Sequence, residues 1–569
     1  MAIVADRYST AEVADFYDSR VWLHDSYFDM IERQSAARGS SRFVFDDHRS
    51  LTFREFRDEV IRLAAGFRRL GVRPQDRIVV QLPNEVEFAV VSAAVSRVGA
   101  VVVPMMPIYR HDEVEYVVKH CGARFAVTCQ DWKGFSHSEM FSDLIARCDD
   151  LEHVLIARGD ADETVSGTSP LESHLADGNP DDLLHQLGDD LGPDEGFLIV
   201  YTSGTTARPK GCFHTVNTVR ASAIAIAGSL EASSEDVLFG PSPITHSTGL
   251  MTSVMLPLLV GAQSYLMESW STEDAIAKVA EHRCTVTVTA TAFLQMYLGA
   301  LQGRKDSSTL RQWVCAGSPI PGAVVERARK ELDGCQVLSL YGRSESFLNA
   351  MCATADAPEL SASTDGRPRG GAALRVVDAR GKELPRGEVG DIAYRGPSHM
   401  LEYYRDPRQT AGLAAADGFA RSGDLGYMTP EGYVRVTGRT KDIVIRGGLN
   451  ISARELEDHL IDHPAVDDVA IVGMPDERLG EKVCAFVVAA SGQSVPALDE
   501  LVAFLRSRNV TTPKLPQRLE VVTSFPSTAT GKVKKHELRQ RISATIAAEN
   551  STAAKDMSHT GPLQETPQS

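Results

Sequence analysis

A chain of 569 residues is too long for one ordinary hydrophobic core, so two or more domains are expected. The composition, 43% hydrophobic and 24% charged, is that of a soluble globular protein. A formal net charge of -17 argues against a nucleic-acid binder, whose affinity rests on Lys and Arg neutralising phosphates. A local basic pocket for a small phosphorylated ligand stays open, built against the overall field.

The nine cysteines, from Cys121 to Cys484, are scattered without a CxxC pair. That fits reduced thiols in the cytoplasm better than a disulfide or zinc framework. The opening stretch carries acids and no apolar segment, so it does not read as a signal peptide. No apolar run approaches the roughly 20 residues of a membrane span. A cytoplasmic location is expected.

Along the chain, 77–82 reads as a strand, 84–97 as a helix stopped by Gly99, and 100–104 as a second strand. This βαβ unit implies a parallel sheet covered by helices. An acidic stretch at 159–196, rich in Gly, Ser and Pro, reads as a surface excursion with some short helix, not core. The pattern of helix then strand returns at 272–283 and 284–289. From 366 to 438 short strands, such as 374–377 and 391–395, alternate with Gly, Pro and Asp turns, which predicts a β-rich subdomain.

After Lys441 the texture starts afresh: a helix near 453–461, strands near 469–472 and 482–488, and a helix at 498–506. About 100 residues is an ordinary size for one small domain. The expected fold class is therefore α/β. A large N-terminal domain of several subdomains (1–440) precedes a small, mobile α+β domain (441–546) and a polar, disordered tail (547–569).

The most informative segment is Ile199-Val-Tyr-Thr-Ser-Gly-Thr-Thr-Ala-Arg-Pro-Lys-Gly211. A strand leads into hydroxyl residues Thr202, Ser203, Thr205 and Thr206 around Gly204, followed by Lys210. Hydroxyls and backbone N–H groups can cradle phosphate oxygens, and a lysine adds a point charge. Any single Ser/Thr/Gly loop is more often a plain polar turn. It is not a Walker loop, because Pro209 and Gly211 flank the lysine, and no GxGxxG opens a helix. The loop resembles the signature of the ANL superfamily of adenylate-forming enzymes, Tyr-Thr-Ser-Gly-Thr-Thr-Gly-x-Pro-Lys-Gly. Ala207 is its one departure from the fixed positions.

Seven further segments resemble the family's motifs in order, across roughly residues 40 to 545. Pro241-Ser-Pro-Ile-Thr-His-Ser-Thr-Gly249 is similar to the segment whose histidine, here His246, borders the acyl pocket. Ala316-Gly-Ser-Pro-Ile-Pro321 is similar to the loop along the adenine, which implicates Gly317 and Ser318. Tyr341-Gly-Arg-Ser-Glu345 resembles Tyr-Gly-x-Thr-Glu. The resemblance implies that Tyr341 stacks on adenine beside Gly342, Ser344 bonds the α-phosphate and Glu345 serves magnesium. A hydrolase elbow GxSxG is rejected there, because Ser346 stands where its second glycine belongs.

Ser422-Gly-Asp-Leu-Gly426 and Gly438-Arg-Thr-Lys-Asp442 imply ribose contacts from Asp424 and Arg439 and a hinge at Lys441. Gly447-Gly-Leu-Asn-Ile451 implies a pantetheine tunnel lined by Gly447, Gly448 and Leu449. Pro526-Ser-Thr-Ala-Thr-Gly-Lys532 implies that Lys532 is the adenylation lysine. By position the acyl pocket would be walled by His246, Thr291, Phe293, Ala316 and Leu340, small or apolar groups that offer an amino acid's ammonium no charged anchor.

What the resemblance implies is an acyl-CoA ligase for a hydrophobic carboxylic acid, using ATP, magnesium and coenzyme A and releasing AMP and pyrophosphate. The start of the chain and Met105-Met-Pro-Ile-Tyr-Arg110 look similar to ligases for cyclic and medium-chain acids. Alanine at 207 costs on the order of 1–2 kcal/mol if that position is left-handed. It leaves open a ligase that only thioesterifies an adenylate supplied by a partner enzyme. A stand-alone enzyme loading a carrier protein is a third reading. A homodimer is compatible with the sequence, and no nucleic-acid partner or membrane span is expected.

If Lys441 is the pivot, Lys441→Pro will impair thioester formation and spare acyl-adenylate formation. Equal loss in both half-reactions, assayed separately, contradicts a hinge there.

Overall fold

The computed structural model describes residues 4–159, 165–202, 208–306, 308–317, 320–413, 417–447, 449–476, 478–490, 492–494, 496–527 and 533–559, without the side chains of 441, 450 and 550–559. The chain divides into two compact units. One holds Met1–Ser422 and Gly426–Val436, the other Gly423–Leu425 and Thr437–Ser569.

Two large sheets build the first unit. The nine-stranded sheet runs, in spatial order, Arg367–Pro368, Ser346–Met351, Gln336–Arg343, Gln312–Ala316, Val286–Ala290, Val237–Gly240, Gln263–Leu266, Arg42–Phe45 and Ser50–Thr52. Its six central strands, Gln336–Arg343 to Arg42–Phe45, are parallel to one another. The eight-stranded sheet runs Glu402–Tyr403, Lys210–Thr215, Gly196–Thr202, Val101–Pro104, Arg77–Gln81, Phe125–Cys129, His153–Ala157 and Thr168–Pro170.

Between the sheets lie the helices Val86–Arg97 and Val216–Leu230, each touching strands of both. Every residue of Val86–Arg97 is buried, which its Ala, Ser and Val side chains permit because they let backbones approach closely. The buried N–H at its start is met by Asp46, whose Oδ2 accepts from Val86 N at 2.9 Å. The expected βαβ unit is this helix with Arg77–Gln81 and Val101–Pro104, and Gly99 takes a left-handed φ of 75° at the turn.

The acidic stretch differs from its sequence reading. Thr168–Pro170 joins the edge of the eight-stranded sheet, and Leu171, Leu183, Leu187 and Leu191 are buried in the main core. The helix Pro180–Leu187 keeps its two acids, Asp181 and Asp182, in the first turn, while Leu183 and Leu187 are buried and Leu184 packs against the same core. The segment before residue 23 is also anchored. Trp22, fully buried, donates from Nε1 to the Pro397 carbonyl at 3.0 Å, and the Tyr8 hydroxyl donates to the His399 carbonyl.

Short strands Ala373–Val377, Gly390–Arg395, Ala420–Met428 and Val434–Arg439 form the expected β-rich sheet. In the second unit Leu449–Ser452, Ile443–Arg446, Gly480–Ala489 and Val466–Asp476 form a sheet, with Arg518–Val522 alongside Gly480–Ala489. Helices Ala453–Leu460 and Leu498–Ser507 share one core with it. The helix Lys535–His559 buries Leu538 and Ile542 with Val472 and Phe486 in another. That helix continues past 547, where the sequence suggested a tail. Its Ala-rich stretch has high intrinsic helix propensity. The result is an α/β protein with a large N-terminal and a small C-terminal domain. Among the described residues no helix is long and apolar enough to cross a membrane.

Candidate active site

Four neighbouring parallel strands of the nine-stranded sheet end on the same edge: Gln336–Arg343, Gln312–Ala316, Val286–Ala290 and Val237–Gly240. The carboxyl edge of a parallel sheet is where open α/β folds take their ligands. The expected acyl and adenine residues of the first unit come off this edge. Ala290 is opposite Ala316, and Ala316 opposite Leu340, so Ala316 and Leu340 close their parallel ladder and Thr291 follows the last residue of the next strand. All three are buried, and Phe293 is half-buried against Trp270. Gly317 follows with a left-handed φ of 79°. Ser318 lies outside the described residues.

His246 leaves the fourth strand, half-buried at the start of the short helix Ser247–Leu250, where its Nδ1 accepts from Thr248 N at 3.4 Å. Its segment is held by Asn84. The Asn84 amide donates to the carbonyls of Gly240 (3.2 Å) and Ser242 (2.9 Å) and accepts from Ile244 N (2.8 Å).

Successive strand residues point to opposite faces, so Leu340 joins the main core while Tyr341 packs against Val376, Ile392 and Val434 of the β-rich sheet. Gly342 has a steric role that its expected nucleotide contact did not reveal. A Cβ there would stand 2.0 Å from the Phe347 carbonyl oxygen, across the hairpin to Ser346–Met351. The Ser344 carbonyl accepts from His214 Nε2 at 2.7 Å, and His214 Nδ1 lies 3.2 Å from the Thr218 hydroxyl. Burial pushes the His214 imidazole down to about 4, against the pull of that carbonyl, so the ring is neutral.

Glu345 is 8% exposed. Its Oε1 accepts from the Tyr403 hydroxyl at 2.7 Å, its Oε2 lies 3.5 Å from Arg343 Nε, and its carbonyl accepts from Met400 N at 2.9 Å.

The phosphate-loop motif is a hairpin of Gly196–Thr202 and Lys210–Thr215, with Thr202 opposite Lys210. Ser203, Gly204, Thr205, Thr206 and Ala207 lie outside the described residues. Lys210 Nζ donates to Gln409 Oε1 at 2.8 Å and sits 4.9 Å above the Tyr403 ring. Arg208 instead lies over Tyr116, 5.0 Å from its ring centre, and the Tyr116 hydroxyl donates to the Pro209 carbonyl.

In the second unit Asp424 is 3% exposed, and its Oδ1 lies 3.0 Å from Arg439 Nε. Lys441 falls in the turn Thr440–Asp442 between two strands. Gly447, with φ 57°, and the exposed Leu449 form the tip of the hairpin Ile443–Arg446/Leu449–Ser452. Gly448 and Lys532 lie outside the described residues.

Family models for the AMP-binding enzyme and the AMP-binding enzyme C-terminal domain match residues 31–404 and 455–532. The chain is an AMP-binding enzyme of the ANL adenylate-forming superfamily. It is 33% identical over 534 residues to the medium-chain fatty-acid–CoA ligase of Escherichia coli (strain K12), covering 93% of this chain and 92% of that one. To the 2,3-dihydroxybenzoate-AMP ligase of Bacillus subtilis (strain 168) it is 31% identical over 543 residues, 94% and 97% of the two chains. The fold matches the crystal structure of the anthranilate CoA ligase AuaEII in complex with anthranoyl-AMP. That match has a TM-score of 0.81 and 23% identity over 93% of this chain and 99% of that one.

For this AMP-binding enzyme, motif reading missed Asn84, His214, Arg343 and Tyr403. Asn84 and His214 carry a weak signal, being polar residues inside apolar runs, while nothing local marks Tyr403.

The depressed imidazole fixes the sign of one pH effect. A base whose pKa falls on folding binds fewer protons folded than unfolded, so stability is lost as pH drops from about 6.5 to about 4. His214→Gln, melted across that window, should start lower at pH 7 and show a flatter slope than wild type. Identical slopes would contradict a buried neutral ring.

Proposed function

We propose that this adenylate-forming ligase is an acyl-CoA ligase, converting a hydrophobic carboxylic acid to its CoA thioester through an acyl-adenylate. The observation that carries the reading is the sheet edge. Ala316 and Leu340 form the last pair of their parallel ladder, Thr291 follows the end of the next strand, and the polar Tyr341–Glu345 run begins at the residue after Leu340. An apolar acyl group and an adenosine phosphate would be presented side by side by one edge. The named medium-chain relative supports CoA as the acceptor.

In the first half-reaction a carboxylate oxygen attacks the α-phosphorus of ATP, the bond to the β-phosphate breaks, and pyrophosphate leaves. Two anions meet, so the protein's work is positioning and charge neutralisation. Ser344 would donate to the α-phosphate, Lys210 and the hydroxyl loop would take the outer phosphates, and Lys532 would meet the developing charge. Asp424, accepting ribose hydroxyls beside Arg439, would orient the nucleoside. In the second half the CoA thiol sulfur attacks the acyl carbonyl, AMP leaves, and the thiol proton passes to solvent. Gly447, Gly448 and Leu449 would admit the pantetheine.

Magnesium fits Glu345 by donor chemistry, a hard carboxylate oxygen. Among the described residues no cluster of three or more His, Cys, Asp or Glu forms a protein-only site. The ion would be held by Glu345 together with nucleotide phosphates and water, the usual manner for magnesium. Bound there, it neutralises phosphate charge.

Ala207, in the place of the family's glycine, favours a second reading in which the enzyme mainly thioesterifies an adenylate made by a partner. Exchange of labelled pyrophosphate into ATP decides between them. Exchange dependent on a hydrophobic acid is expected, with a drop of about 10²–10³-fold in Lys532→Ala. Thioester formation from supplied adenylate without exchange would favour the second reading. Exchange with acylation of a carrier's phosphopantetheine, and none of CoA, would mark a carrier-loading enzyme.

A further inference from the structure

Tyr403 touches both sides of the phosphate machinery and belongs to none of its motifs. It sits on the two-residue strand Glu402–Tyr403, which pairs with Lys210–Thr215 at the edge of the eight-stranded sheet. Cys212 is its register partner, two residues from Lys210. Its backbone N–H donates to Thr410 Oγ1 at 3.0 Å, on the helix Pro407–Ala411 that also carries Gln409. Residue 403 is thereby fixed by a strand on one side and a helix on the other.

From that position the side chain, 5% exposed, does two things. Its hydroxyl donates to Glu345 Oε1 at 2.7 Å. Its ring face lies under the Lys210 ammonium, 4.9 Å from the ring centre, while Gln409 Oε1 accepts from the same ammonium at 2.8 Å. A cation over a ring gains from the quadrupole, and a phenol donating to a buried carboxylate makes a charge-assisted bond. A phenol, with an ordinary pKa of about 10, is a donor at working pH.

We infer that Tyr403 is a positioning residue which sets the spacing of the Lys210 ammonium from the Glu345 carboxylate and fixes that carboxylate from its Oε1 side. Arg343, 3.5 Å from Oε2, balances the carboxylate's charge on that other side. Without the phenol the carboxylate would lose the bond that fixes its orientation, and a nucleotide-bound cation would meet it in a looser geometry.

The role rests on the proposed reading of the first unit as the ATP site, and its test separates the two. The full chain is titrated calorimetrically with ATP at a series of magnesium concentrations, and with AMP without magnesium. Tyr403→Phe keeps the ring and deletes the hydroxyl. It should raise the magnesium needed for half-maximal ATP binding about tenfold, the equivalent of one hydrogen bond to a charged group, with AMP affinity unchanged. Gln409→Ala loosens only the lysine, and should weaken ATP binding at saturating magnesium with the magnesium midpoint unmoved.

An unaltered midpoint in Tyr403→Phe overturns the role while leaving the ATP site intact. Equal weakening of AMP and ATP overturns it in favour of a purely structural tyrosine. A wild-type chain that binds no ATP overturns both readings.

Discussion

A carboxylate buried in a protein of net charge -17 must be held by named partners, and the placement of Glu345 is the constraint on which the first unit's site depends. The partners come from distant parts of the chain. Tyr403 supplies a hydroxyl, Met400 a backbone N–H, and Arg343 a charge, while His214 fixes the neighbouring carbonyl of Ser344. The stretch that carries Met400 and Tyr403 is itself tied down from the other end of the sequence, through Trp22 to Pro397 and Tyr8 to His399. Removing any of these would leave a buried polar group without its partner, at a cost of about 1–3 kcal/mol.

The sheet edge supplies the complementary half. Parallel strands present their carboxyl ends together, and here two neighbouring strands carry residues of alternating character. Ala316 and Leu340 continue the apolar core outward, and the next residues, Gly317 and Tyr341, leave it. Asn84 performs for the His246 segment what Tyr403 performs for Glu345: three hydrogen bonds from one buried side chain fix a loop that no regular ladder holds.

Much of this was legible in the sequence, for reasons that differ by element. The βαβ unit at 77–104 announced itself because buried parallel strands read as apolar runs and Gly99 punctuates them. The motif residues Thr202, Lys210, Ser344, Glu345, Asp424 and Arg439 were singled out by order and identity, and the structure pairs Thr202 with Lys210 and Asp424 with Arg439 without testing their roles. The helix Pro180–Leu187 was misjudged as surface because it lies in a stretch rich in acids, Gly, Ser and Pro that masks its two buried leucines. Tyr403 was invisible for a deeper reason: its value lies in contacts to residues 58 and 193 positions away, which no local pattern encodes. Gly342 was read as a nucleotide contact, whereas the close approach of the Phe347 carbonyl already requires a glycine.

The central claim is that one sheet edge holds an apolar acyl group and an adenosine phosphate together. Binding of a non-hydrolysable acyl-adenylate analogue, a medium-chain acyl sulfamoyl adenosine, tests it most directly when compared with AMP by calorimetry. The account predicts that the analogue binds the wild-type chain at least about 10²-fold more tightly than AMP, as an intermediate mimic should. It also predicts that Ala316→Trp abolishes the gain while leaving AMP binding in place. An acyl contribution untouched by that substitution would contradict it.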